Sequence, residues 1–269
     1  MVKMIDRIDR QICDLNLSQE LSPIILVFAD WNYLDILKNW ITGMKRLHLD
    51  NFIIVSLDMN IYNFLVENGY KTILLENKGN LSALWCIRIS VFKYLVDFGI
   101  DFIHSDADAV WLKNPIPDFY EPYRSFDILI SQGTIWPEPV FKLWGFVLCC
   151  GFFMMRSTEF TKSLLDKLGT HVMTTGDDQI SLNCVVASQD MQWHYTSSAY
   201  LSIGKYRLLC SDDLITGKGN KISIAVLPFK KFPRLYIPNT EPYVSHILTP
   251  KENDAKREVL KKAGMWFLE

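Results

Sequence analysis

The chain of 269 residues lacks an excess of charge of either sign: 28 Lys and Arg stand against 30 Asp and Glu, a net charge of -2. A protein whose main partner is nucleic acid normally carries a basic surface, so that class loses its electrostatic argument. Cysteines are few and badly spaced for structural chemistry. Cys13, Cys86, Cys149, Cys150, Cys184 and Cys210 contain no C-x-x-C pair, and the adjacent Cys149 and Cys150 suit neither zinc nor an unstrained disulfide. Free thiols in a reducing compartment are the expectation. No uninterrupted apolar run reaches the ~18 residues of a membrane helix. The opening "MVKMIDRIDRQICDLNLSQELSP" scatters charges where a secretory leader would be continuously apolar. Internal repeats, low-complexity tracts and linkers are also missing, which points to one continuous domain.

What is present is apolar material in short, bounded blocks. With 49% hydrophobic and 13% aromatic residues, the chain can bury a substantial core. The first ~20 residues read as an amphipathic helix or an irregular lead-in. After Pro23, "IILVFADW" reads as a buried parallel strand ending at Asp30. "NYLDILKNWITGMKRLHL" has helical spacing, with Asn32 as the expected cap. "NFIIVSLD" and "KTILLE" are strands flanking a helix that Gly69 closes. A longer helix, "LSALWCIRISVFKYLVDFG", stops at Gly99 and leads to a fourth strand, "IDFIHSDAD". This βαβ order predicts an α/β fold with a mostly parallel sheet flanked by helices. Beyond residue 115 the pattern is less regular. "FDILISQG" reads as a strand, "EPVFKLWGFVLCCGFFMMRST" as strand-containing, "EFTKSLLDKLGTHVM" and "DDQISLNCVVAS" as helices, and "KENDAKREVLKKAG" as a final basic helix.

Ligands gather at the carboxyl ends of parallel strands. Asp30 and the pair Asp106 and Asp108 stand at such ends. In extended chain, residues i and i+2 point the same way, so the two carboxylates of "HSDADAVWLKNP" can meet on one ion. Hard divalent cations such as Mg²⁺ or Mn²⁺ take oxygen ligands and share them with substrate phosphates. "DADAV" also satisfies the D-x-D-x-[T/V] pattern of haloacid-dehalogenase-like phosphatases, whose nucleophile would then be Asp106. That nucleophile normally follows the first strand of its domain, whereas three strands and three helices precede it here.

"HSDADAVWLKNP" resembles the signature of nucleotide-diphospho-sugar transferases, glycosyltransferases of GT-A fold, and more narrowly that of the family containing the plant rhamnogalacturonan xylosyltransferases. The resemblance runs from "FADWNYLDILKNW" to "YVSHIL". It implies a single GT-A domain over residues 1–269, with a nucleotide-sugar-binding half at 1–115 and an acceptor-binding half at 116–269. It implies a metal-dependent transfer of a sugar, with xylose one candidate, from a UDP-sugar donor to a glycan hydroxyl. A nucleotide-sugar-binding protein without turnover is the other alternative. The absence of a leader and anchor, unusual for this family in plants and animals, implies a cytoplasmic protein of bacterial or viral source.

By the same resemblance, Phe28, Ala29, Asp30 and Tyr33 would cradle the uridine, and Arg88 would reach the sugar or diphosphate. Asp106 would meet both ribose and metal, Asp108 the metal alone, and His246 would complete the metal site. Gly151, in "LCCGFFMMRST", would let substrate approach the backbone. Cys150 stands where the family often has Asn. Asp178 and Gln179 match the family's Asp-Gln pair, with Asp178 at the reacting centre and Asp177 the fallback. Either aspartate could instead cap the helix that follows. Trp136 and Trp144 are candidate acceptor-stacking rings.

Overall fold

A computed structural model describes residues 8–12, 23–196 and 199–269. Cys13 and most of the expected N-terminal lead-in lie outside the described residues; 8–12 are helical. The first block of branched residues forms β1 (Ile24–Ala29), buried except at Phe28. A one-turn 3₁₀ segment, Trp31–Tyr33, leads into α1 (Leu34–Arg46). The cap of that turn is Asp30 and not Asn32: its Oδ1 accepts from the Tyr33 backbone N–H at 3.0 Å. The α-helix itself starts one residue later than expected, with Tyr33 at its N-cap and no side-chain cap there, because the short turn intervenes. α1 lays Ile36, Leu37, Trp40, Ile41 and Met44 on the sheet, the apolar stripe its spacing predicts.

β2 (Phe52–Ser56), α2 (Met59–Glu67), β3 (Thr72–Leu74), α3 (Leu81–Asp97) and β4 (Phe102–Ser105) follow in the expected order. Gly69 and Gly99 take the left-handed conformation just past α2 and α3, at φ +73° and +79°, where a residue without Cβ costs least. After β4 come β5 (Val110–Trp111), α4 (Ile116–Tyr120) and β6 (Ile128–Gln132). The aromatic block at 138–155, expected to contain strands, divides into α5 (Glu138–Trp144) and the long β7 (Leu148–Met155). Gly145, left-handed at φ +80°, ends α5 and permits the change. α6 (Glu159–Thr175) and α7 (Asp178–Ala187) cover one face of the sheet; the chain then forms β8 (Gln192–His194), β9 (Ala199–Ile203), β10 (Tyr206–Cys210), β11 (Ile215–Lys218), β12 (Ser223–Val226), β13 (Val244–Ser245) and α8 (Asn253–Lys262).

Among the described residues, nine strands make one sheet in the order β3-β2-β1-β4-β7-β6-β12-β11-β8. β3, β2, β1 and β4 are mutually parallel, and β6 pairs parallel with β12; β7 and β11 run the other way. The fold is thus a mixed α/β domain with a mostly parallel sheet flanked by helices. Because β7 is reversed, its first residues, Cys149 to Gly151, lie at the sheet edge where β1 and β4 end. A second pairing matters for the site: β13 lies antiparallel on β5, with Ser245 opposite Val110 and Val244 opposite Trp111. That two-residue ribbon brings the chain around 246 to the segment after β4.

Candidate active site

The two carboxylates of the D-x-D segment do converge, though not along an extended strand. β4 stops at Ser105, and the next residues turn, with the Ala109 backbone N–H donating to the Asp106 carbonyl at 3.0 Å. The turn is braced from below. The indole N–H groups of Trp40 and Trp111 both donate to Ser105 Oγ at 3.0 Å, and Ser105 Oγ donates to the Asp106 carbonyl at 3.1 Å. From the side, the Asp106 N–H donates to the Gly151 carbonyl at 2.7 Å.

His246, next to β13, faces both acids. Its Nε2 lies 3.2 Å from Asp108 Oδ1 and 3.8 Å from Asp106 Oδ2. One donor atom from each of Asp106, Asp108 and His246 falls within 4.8 Å of the others. Two carboxylates and an imidazole form a donor set that can hold a divalent cation, so these residues fit a metal of the kind that the sequence implies. Gly151 makes the cluster possible. A Cβ there would stand 2.6 Å from Asp106 Oδ2 and closer still to the His246 ring. The space it leaves is filled by the side chains of His246 and Asp106, and not by substrate as the resemblance implies.

Arg88 is not a surface residue. It projects from α3, 4% exposed, and joins two carboxylates: Nη2 lies 3.3 Å from Asp106 Oδ1 and Nη1 lies 3.2 Å from Asp178 Oδ2. Nη2 also donates to the Cys150 carbonyl at 3.1 Å and abuts the His104 ring. His104, unremarked in the sequence, is fully buried, with its Nε2 3.2 Å from Asp106 Oδ1. Burial, then Arg88, lowers its pKa to about 4, so this ring is neutral. Asp106 and Asp108 are both held well below the usual carboxylate range. Burial opposes this in each case, but Arg88 and His104 outweigh it at Asp106, and His246 and Lys256 at Asp108.

Asp178 behaves differently. It opens α7, and burial pushes its carboxyl up to about 6 despite Arg88. Its neighbour Asp177 is the helix cap, Oδ1 accepting from the Ile180 N–H at 2.7 Å. Gln179 is bound to the backbone of β7. Its Oε1 accepts from Cys150 N–H at 2.8 Å, and its Nε2 donates to the carbonyls of Leu148 and, at 3.2 Å, Trp136. Trp136 is 56% exposed; Trp144 instead packs on Trp193 and Phe146.

On the β1 side, Phe28 meets the rings of Phe92 and His104 edge-on and lies under the Arg88 guanidinium, 5.8 Å from its centroid. Ala29 is buried and Asp30 is engaged in its cap. The Tyr33 hydroxyl accepts from Lys256, which also donates to Asp108 Oδ2. Lys256, His104 and Ser105 are the site residues that sequence reading missed. The one signal for Lys256 was its place in a terminal helix rich in basic residues.

The model of the nucleotide-diphospho-sugar transferase family matches residues 47–260, which include the Asp106–Asp108 turn. Among curated proteins, arabinosyltransferase XEG113 of Arabidopsis thaliana is 23% identical over 185 residues, covering 62% of this chain and 28% of its own. Arabinosyltransferase RRA1 of the same plant is 26% identical over 190 residues, covering 60% and 46%. The chain therefore spans less than half the length of the curated relatives it matches. Among solved structures, the galactosyltransferase LgtC, in complex with donor and acceptor sugar analogues, superposes with a TM-score of 0.53 at 12% identity, over 91% of this chain and 96% of that one. The bifunctional glycosyltransferase WbbM gives 0.51 at 12% identity, over 83% and 45%. These likenesses identify the fold as GT-A.

Proposed function

The chain belongs to the nucleotide-diphospho-sugar transferase family, and from that premise we propose that it moves a sugar from a UDP-sugar to a glycan hydroxyl with the help of a divalent metal. The observation that carries this reading is the convergence of Asp106, Asp108 and His246 beside the Arg88–Asp178 pair. A metal held by those three residues would neutralise a departing diphosphate. The rest is work for the chain's own groups. Residues 1–115 form the nucleotide-sugar half, with Phe28, Ala29, Asp30 and Tyr33 along the edge that receives the uridine. Residues 116–269 form the acceptor half, where the exposed ring of Trp136 offers a face to a sugar.

Arg88, buried and cationic, holds Asp106 in its ionised form and stands ready to offset charge on the leaving group. Asp178, its carboxyl raised to about 6, is ionised at neutral pH while still basic for a carboxylate. That suits it to take the acceptor's proton, or to stabilise an oxocarbenium-like centre. Gln179 fixes the Asp178 turn against β7. The anomeric configuration of the product distinguishes the two roles of Asp178. The plant relatives are named for arabinose, and the resemblance of the D-x-D segment implies xylose as one candidate; a UDP-linked pentose is the donor class we place first.

The test is a panel of UDP-xylose, UDP-arabinose, UDP-galactose and UDP-glucose with Mn²⁺, read as donor hydrolysis and as transfer. Turnover should fall to background in Asp108→Ala and on chelation. Turnover that survives both undiminished would sink the mechanism.

A further inference from the structure

Lys256 is a buried cation in contact with the residues assigned to a metal. It comes from α8, 148 residues along the chain from Asp108, and is 6% exposed. Its ammonium donates to Asp108 Oδ2 and to the Tyr33 hydroxyl, and lies 5.0 Å from the centroid of the Tyr33 ring. A buried ammonium needs such partners. The consequence falls on Asp108. Its Oδ1 faces His246 at 3.2 Å and its Oδ2 faces Lys256, so each oxygen has a neighbour.

A dication on Asp108 would meet the lysine's positive charge at close range in a site largely closed to water. Like charges in such a setting repel strongly. The two cations compete for one carboxylate. We infer that Lys256 is a displaceable lock on the metal site: its ammonium holds Asp108 and Tyr33 together, and leaves both when a divalent cation binds. The inference rests on the metal reading proposed above.

The chain is built to let the ammonium go. Lysine carries its charge on a flexible four-carbon stem. The helix beneath it has other anchors: Asn253 Nδ2 donates to the Asn32 carbonyl at 2.6 Å, Arg257 lies 3.7 Å from Asp35, and Leu260 is fully buried. The side chain can therefore withdraw without α8 moving. Its withdrawal also frees the Tyr33 hydroxyl, which stands at the edge assigned to the nucleotide. Metal entry and donor entry thus become coupled through one side chain.

The experiment measures Mn²⁺ affinity by electron paramagnetic resonance for the wild-type chain, Lys256→Met and Asp108→Asn. It also measures amine labelling of Lys256 in the wild type, by mass spectrometry, with and without Mn²⁺. Lys256→Met should bind Mn²⁺ at least ten-fold more tightly than wild type, and Mn²⁺ should raise the labelling of Lys256. Equal or weaker binding by a folded Lys256→Met overturns the lock. Should that variant not fold, the wild-type labelling decides: no rise with Mn²⁺ overturns it. Mn²⁺ bound by neither wild type nor Lys256→Met overturns the metal reading itself.

Discussion

The imidazole of His246 occupies the volume into which any side chain at position 151 would grow. Gly151 is on β7 and His246 follows β13, so two distant segments meet at a point where one Cβ would separate them. Gly151→Ala should destabilise the fold by about 1–3 kcal/mol, the usual cost of overpacking. It should also abolish Mn²⁺ binding. Calorimetry that finds wild-type Mn²⁺ affinity in this variant would refute the assignment of the ligands.

Asp178 should write the acid limb of the activity profile. With its carboxyl at about 6, transfer should rise with pH through that value as the group ionises. Asp178→Asn should lower the rate by roughly 10²–10⁴-fold and remove the limb. A variant that keeps the limb would move the titration to another group.

Arg88 is the sole guanidinium shared by Asp106 and Asp178 among the described residues. Arg88→Met would leave the buried Asp178 and the partly buried Asp106 without it, and should cost about 3 kcal/mol in urea unfolding. In whatever fraction folds, the acid limb should move to higher pH, since Arg88 is what holds Asp178 down. Arg88→Lys retains charge but not the two-pronged geometry, and should restore the stability only in part.

His246 makes stability depend on pH in a chelated sample. Burial and Arg234 would lower its pKa, but Asp108 outweighs them and raises it to about 9. An unfolded histidine titrates near ~6.5. The stabilisation is therefore complete below about 6.5 and is lost as pH rises through about 9. Cys149 runs the other way: against burial, Arg234 and His246 bring its thiol down to about 7, so its contribution is present at high pH and lost on acidification. Measured in Cys149→Ser to remove that opposition, the melting temperature in EDTA should fall by a few degrees from pH 6.5 to 9. His246→Gln in the same background should flatten the fall between pH 6.5 and 8, because the thiols of Cys150, Cys184 and Cys210, pushed up by burial, contribute only as pH nears 9; an unchanged slope below pH 8 would rule out His246 as the cause.

Ser105 accepts from two buried indoles, Trp40 and Trp111, immediately beneath the D-x-D turn. Ser105→Ala should cost about 1–3 kcal/mol for each orphaned donor. It should lower the urea midpoint with little change in the slope. Loss of much less than 1 kcal/mol would mean that both indoles find other acceptors.

Much of this was legible in the sequence because it is written in local pattern. Short apolar blocks alternating with helical spacing predicted the parallel half from β1 to β4. Two aspartates after a strand end, with Val-Trp-Leu and Asn-Pro beyond, pointed to a metal site and to a family. Where local pattern is ambiguous, the reading blurred. The 138–155 block is apolar apart from Glu138 and Lys142, and only the left-handed Gly145 and the two residues after it separate its helix from its strand. The D-x-D pair was expected along an extended strand; it converges through a turn, because Ser105 ends β4 on two tryptophans.

The sequence by itself determined the order of strands and helices from β1 to β4 and the identity of the acids, since backbone periodicity and strand ends depend on neighbours in the chain. Only the tertiary structure decided who faces those acids. β13, two residues long, is too short to leave a periodic trace, yet it sets His246 on Asp108. α3 carries Arg88 inward, and α8 returns Lys256 to a carboxylate 148 residues away. Contacts of that range are fixed by the packing of whole elements, and no local stretch of sequence records them.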